Sequence, residues 1–93
     1  MSEEEKARLD ALRKQLDAEH QWPSMYMFKF VLPNDETKIK QLHEIFGESA
    51  EFRSRLSKKG NYTSFTIRSV MLNADQIFDL YSKASRIEGI ISL

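Results

Sequence analysis

The sequence predicts an α+β sandwich: four strands in one antiparallel sheet, two core helices on a single face, and an extra helix leading the chain. Three observations carry this. Segments 24–32 and 61–70 alternate between two sets of residues at the two-residue period of a half-buried strand. Segments starting at residues 36 and 73 place apolar residues at helical spacing. Between them, Ser57-Lys-Lys-Gly-Asn-Tyr-Thr-Ser-Phe-Thr-Ile67 reads as a hairpin with Lys-Gly-Asn at its turn.

Taken in order, residues 2–20 form the leading helix. Ser2 with Glu5 is a capping-box pattern, and Glu3, Glu4 and Glu5 suit the positive end of the helix dipole. Leu9, Leu12 and Leu16 make a narrow apolar stripe, with Ala7, Ala11 and Ala18 nearby, so this helix needs a surface to lie on. Pro23 stops it, after an exit through His20-Gln21-Trp22. The strand 24–32 sends Tyr26, Phe28, Phe30 and Leu32 to one face, assigned to the core, and Met25, Met27, Lys29 and Val31 to the other. Pro33-Asn34-Asp35 turns the chain and caps helix 36–46, where Ile39, Leu42 and Phe46 share a face beside Ile45 and Gly47 ends the helix. The strand 51–57 points Phe52 and Leu56 inward and Arg53 and Arg55 outward, and strand 61–70 faces it across the hairpin. Asn73 opens the second core helix, with Ile77, Leu80, Tyr81 and Ala84 inward. Residues 87–93 read as a final strand, with the Ile90-Ile91 pair leaving its buried face open.

After the leading helix the order is therefore β-α-β-β-α-β. Right-handed crossovers and an antiparallel hairpin combine most simply into a ferredoxin-like sheet of strand order 4-1-3-2. Residues 1–21 are the helix and linker, and residues 22–93 the ferredoxin-like domain.

Composition narrows the function. The chain has 93 residues, 14 basic and 14 acidic, for a net charge of zero, so no global field steers it toward nucleic acid or membrane. It has no cysteine, which removes disulfides, thiol catalysis and thiolate metal sites. No apolar run approaches the roughly 18 residues of a membrane span, and the acidic start is unlike a secretory signal. A cytoplasmic location without membrane contact is expected. His20 and His43 form no metal-ligand spacing. Ser24, Ser57 and Ser64 lack a nucleophile elbow, and Gly60 lacks the helix start of a phosphate cradle. Asp35 and Glu36 are better explained as helix-capping residues than as a catalytic base. The expectation is a protein that is not an enzyme and carries no cofactor.

What remains is the sheet face away from the helices. It is expected to carry Met25, Met27, Lys29 and Val31, then Ser64, Thr66 and Arg68, then Arg53 and Arg55. Segment 51–70 holds Arg53, Arg55, Lys58, Lys59 and Arg68 against Glu51 alone, a local positive patch on a neutral chain. One account has the leading helix fold back over it, Leu9, Leu12 and Leu16 on the methionines and Asp10, Asp17 and Glu19 on the arginines, or a second subunit cover it, since large apolar patches seldom stay bare. The other leaves the face free for a partner, its methionines adaptable to what they meet. Trp22 is expected at the core edge, under the leading helix, or at an interface. Lys59-Gly60 resembles the start of an RNA-recognition signature, but Asn61 stands where an aromatic is needed and Tyr26, Phe28 and Phe30 lie on the core face.

Trp22-Pro23, Phe28-Lys29-Phe30-Val31, the stretch Ser57 to Phe65, Tyr81 and the apolar end at Leu93 together resemble the YbeD-like family of small bacterial proteins of unknown function, over roughly residues 22–93. The resemblance implies a fold similar to ACT-like regulatory domains, which dimerise and bind small molecules such as amino acids, and a thin link to lipoate metabolism. Where that family tends to have a glycine after the first strand, this chain has Leu32-Pro33. Three functions follow as expectations. The first is a non-enzymatic regulatory or protein-interaction domain with an unidentified protein partner or a second copy, using the open face or an edge strand. The second is a small-molecule sensor with its ligand at Pro33, Asn34 and Asp35, where a helix N-terminus suits an anion. The third is weak nucleic-acid binding through the basic face.

Overall fold

A computed structural model describes residues 2–93. The elements run α1 (Glu3–Glu19), β1 (Ser24–Pro33), α2 (Glu36–Phe46), β2 (Glu51–Leu56), β3 (Tyr62–Met71), α3 (Ala74–Ala84) and β4 (Ile91–Ser92). The strands form one sheet in the order β2-β3-β1-β4, with every neighbouring pair antiparallel. This is the ferredoxin-like βαββαβ arrangement, read from its opposite edge.

Local chemistry sets the boundaries. Each helix begins with a polar side chain that accepts from otherwise unpaired amides. Ser2 accepts from the Glu5 N–H at 3.2 Å. Asp35 accepts from Thr37 at 2.8 Å and Lys38 at 3.3 Å. Asn73 accepts from Gln76 at 2.8 Å. The β2–β3 hairpin closes through the Gly60 N–H to the Ser57 carbonyl (3.0 Å) and the Ser57 N–H to the Tyr62 carbonyl (2.9 Å). Gly60 there takes a φ of 76°, a conformation other residues rarely adopt.

The core lies between the sheet and the α2–α3 layer. Phe28, Phe30, Leu32, Leu42 and Ile67 have no solvent exposure. Burial of such a side chain contributes about 1.5–3 kcal/mol. Phe46 meets Phe28 edge-on at 4.9 Å, and Tyr81 lies 5.1 Å from the same ring.

Three expectations are corrected. The final strand is Ile91–Ser92 rather than 87–93. Ile87 turns into the core, and Gly89, at φ +82°, bends the chain against Pro33, whose ring a Cβ at this position would meet at 2.9 Å. Leu56, expected to face inward, is 57% exposed. It ends the edge strand β2, opposite Thr63.

The third correction concerns α1, which does not cover the open sheet face. It lies on the helix side against α3, with no buried residue of its own. Leu9, Leu12 and Leu16 line a hollow of about 320 Å³ with Tyr26, Ile77, Phe78 and Tyr81. One of its charged residues is turned that way. Arg13 bonds Asp10 and Asp75, each at 2.6 Å, and lies 5.9 Å above the Phe78 ring. Asp17 accepts from the Trp22 indole at 2.8 Å, so Trp22 anchors the end of the helix as one reading expected.

Candidate functional site

The open face is assembled by strand register. Met25 stands opposite Val70, Met27 opposite Arg68, Lys29 opposite Thr66 and Val31 opposite Ser64. The next strand continues the rows: Glu51 beside Arg68, Arg53 beside Thr66 and Arg55 beside Ser64. On the other side, Ile91 pairs with Val31, and the Leu93 N–H donates to the Lys29 carbonyl at 2.9 Å. Because side chains alternate along a strand, Met25, Met27, Lys29, Arg53, Arg55, Thr66 and Arg68 all project from one side of the sheet. The structure thus brings together every residue of that candidate set.

This surface is open to solvent. Met25 is 57% exposed and Met27 44%. A shallow hollow of about 260 Å³ lies among Met27, Glu51, Arg53, Thr66 and Arg68. A second, of about 430 Å³, is bounded by Val31, Arg55, Leu56, Lys58, Tyr62 and Ser64. The charge is uneven. Arg53 leans on Glu51 at 3.3 Å. Among the described residues, no carboxylate lies within salt-bridge reach of Lys29, Arg55 or Arg68. The face therefore presents unneutralised cations beside exposed thioethers.

The loop Pro33-Asn34-Asp35 has a different character. The Asn34 N–H donates to the Asn61 carbonyl at 2.9 Å, its amide nitrogen to the Gly60 carbonyl at 3.2 Å, and its oxygen accepts from Thr63 at 3.1 Å. Asn34 thus ties the first crossover to the hairpin. The Asp35 carboxylate already holds the first amides of α2, so the chain supplies its own anion at that helix start.

Other polar side chains serve the fold. His43 stacks on Phe52 at 4.0 Å, and His20 on Trp22 at 5.3 Å. No group of acids and histidines able to hold a metal ion occurs among the described residues. Tyr81, half-buried beneath α1, has its phenol pushed above the ordinary tyrosine range by burial, helped by the neighbouring Tyr26 phenol. No helix of the described residues is long and apolar enough to cross a membrane.

A family model described as Protein of unknown function (DUF493) matches residues 17–93. The chain belongs to the DUF493 family. The match begins in the last turn of α1, so it takes in Trp22, the sheet and both core helices. It is also the family of YbeD, in agreement with the resemblance read from Trp22-Pro23 and the hairpin. No curated protein and no solved structure matches this DUF493 chain.

The open face of the DUF493 protein is wider than its sequence foretold. Tyr62 (48% exposed), Val70 (53%), Ile91 (54%) and Leu93 (72%) extend it. Tyr62 and Val70 carry the same parity as Ser64 and Thr66, so the alternating pattern of β3 held the signal. Ile91 and Leu93 had none, because the register of so short a strand is visible only once it is paired.

Proposed function

We propose that this DUF493 protein is a non-enzymatic interaction domain whose open sheet face binds an acidic, partly apolar segment of another protein. The observation that carries this reading is the row of cations, Lys29, Arg55 and Arg68, without a carboxylate partner beside the exposed Met25 and Met27. Charge on such a surface speeds encounter and selects partners of opposite sign, while methionine adapts to varied apolar contacts. Nucleic acid is a poorer fit. On a sheet of this topology bases stack on aromatics of the central strands, and here β1 offers Met25, Met27, Lys29 and Val31 on that side, while β3 offers Ser64, Thr66, Arg68 and Val70 with a single aromatic, Tyr62, at its very start. The three phenylalanines of β1 and β3 lie in the core.

Affinity capture tests the reading. Wild-type protein and the R55E/R68E variant are exposed to the same host lysate at low and at high salt. The expected result is an acidic protein retained by wild type, released by salt and absent from the variant, with both forms equally folded by circular dichroism. Equal capture by both forms contradicts the proposal. Retention of RNA or single-stranded DNA instead of protein favours the nucleic-acid reading.

A further inference from the structure

The two edges of the sheet are defended unequally. The β2 edge carries Glu51, Arg53 and Arg55, and charges of this kind discourage strand-to-strand association. The other edge is only partly covered. β4 pairs with Phe30 and Val31, and Leu93 adds a bond to the Lys29 carbonyl. No described residue pairs with the outer side of β1 from Ser24 to Phe28. Backbone groups of alternate residues face the same edge. The N–H and C=O of Met25 and Met27 therefore point the same way as those of Lys29, outward and without a strand beside them. The segment reads Ser-Met-Tyr-Met-Phe. It has no charge, no proline and no bulge, so none of the usual guards is present.

We propose that two copies of the chain join through this edge, β1 against β1, antiparallel about a two-fold axis at Tyr26. In that register Met25 of one copy exchanges backbone hydrogen bonds with Met27 of the other, and the reverse pair follows by symmetry. The pairing is isologous, the commonest arrangement of soluble dimers. Charge decides against the alternative of face-to-face association: each open face sets Lys29, Arg53, Arg55 and Arg68 against Glu51 alone, so two such faces repel. The edge carries no such penalty. The methionines of both copies meet in a soft seam on the open side, and Tyr26 meets its counterpart on the helix side. Both open faces end on the same side of one continuous sheet. The seam lies at the edge rather than on the basic face and does not depend on the binding of an acidic partner.

The test uses the full chain. Light scattering coupled to gel filtration, and hydrogen exchange read residue by residue, are followed over a dilution series of wild-type protein. The mass is expected to fall from dimer to monomer on dilution. The Met25 and Met27 amides should lose protection in step with it, while the Phe28 and Phe30 amides, bonded to β3, keep theirs. The M25K/M27K variant should dimerise at least roughly tenfold more weakly, since it sets like charges across the seam, and R55E on the far edge should dimerise as wild type does. Monomer mass at millimolar protein overturns the proposal. So does a dimer in which the Met25 and Met27 amides exchange freely, or one broken by R55E and not by M25K/M27K. If the double variant does not fold, the wild-type exchange data decide alone.

Discussion

On β1, Phe28 has no solvent exposure while Met27, its neighbour along the chain, is 44% exposed; on β3, Ile67 is buried while Arg68 beside it is in water. The two sides of one sheet are thus made by the same strands with a one-residue offset. The helix side is filled by rings packed edge to face, Phe46 on Phe28 and Phe52 on Phe65. Among the described residues nothing covers the other side, because α1 lies on α3 instead. The difference teaches that backbone pairing and side-chain packing do separate work in this fold. The sheet needs one face to be buried for stability and leaves the other exposed to solvent.

The largest test of that division compares neighbours. Phe28→Ala should cost about 3–5 kcal/mol in urea unfolding, through lost burial and the cavity left behind. Met27→Ala should stay within about 0.5 kcal/mol of wild type, as exposed substitutions do. Similar losses for both would break the distinction between the faces.

Gly89→Ala comes next. A side chain in the left-handed region costs about 1–2 kcal/mol, and the added Cβ would also press on the Pro33 ring at 2.9 Å. A fall in thermal midpoint with an unchanged spectrum is the expected result. An unaffected midpoint would show that the turn after α3 does not rest on Pro33.

Asp75→Ala probes how firmly α1 is held. The bond to Arg13 is exposed on both sides, and solvent screens such pairs so that they add little to global stability. The expected outcome is faster hydrogen exchange in α1 with little change in global unfolding. The smallest effect is confined to alkaline solution. Tyr81 has a phenol pKa raised on folding by burial. Its contribution is whole below the unfolded tyrosine value of about 10 and is lost as pH rises from there toward the folded value. The Tyr81→Phe variant should therefore lose stability less steeply above that pH than wild type. Parallel profiles would remove Tyr81 from the account.

Much of this was legible in the sequence, for physical reasons that differ by element. Ser2, Asp35 and Asn73 announced the helix starts because capping is a local interaction between residues two or three apart. The two-residue period of β1 separated Phe28 and Phe30 from Met25 and Met27 without any knowledge of the sheet, and so placed the candidate face. The site of α1 was not legible. Its stripe of Leu9, Leu12 and Leu16 fits any apolar surface, and the bond that locates it joins Arg13 to Asp75 across 62 residues of chain. The final strand was drawn too long because Ile87 and Ile90-Ile91 look like one strand until Gly89 bends the chain between them. Leu56 was misjudged because parity gives the side of the sheet, not the depth of the layer above it.

The claim that one side of the sheet is core and the other free surface is tested most directly by oxidation of methionine. Met25, Met27 and Met71 all lie in strands, and Met71 is 1% exposed. Dilute protein is treated briefly with hydrogen peroxide, and sulfoxide at each position is followed by mass spectrometry, since oxidation of methionine follows its access to solvent. The account predicts rapid oxidation at Met25 and Met27 with Met71 intact in the folded protein. Equal rates at all three positions, or protection of Met25 and Met27 alongside Met71 at every dilution, would contradict it.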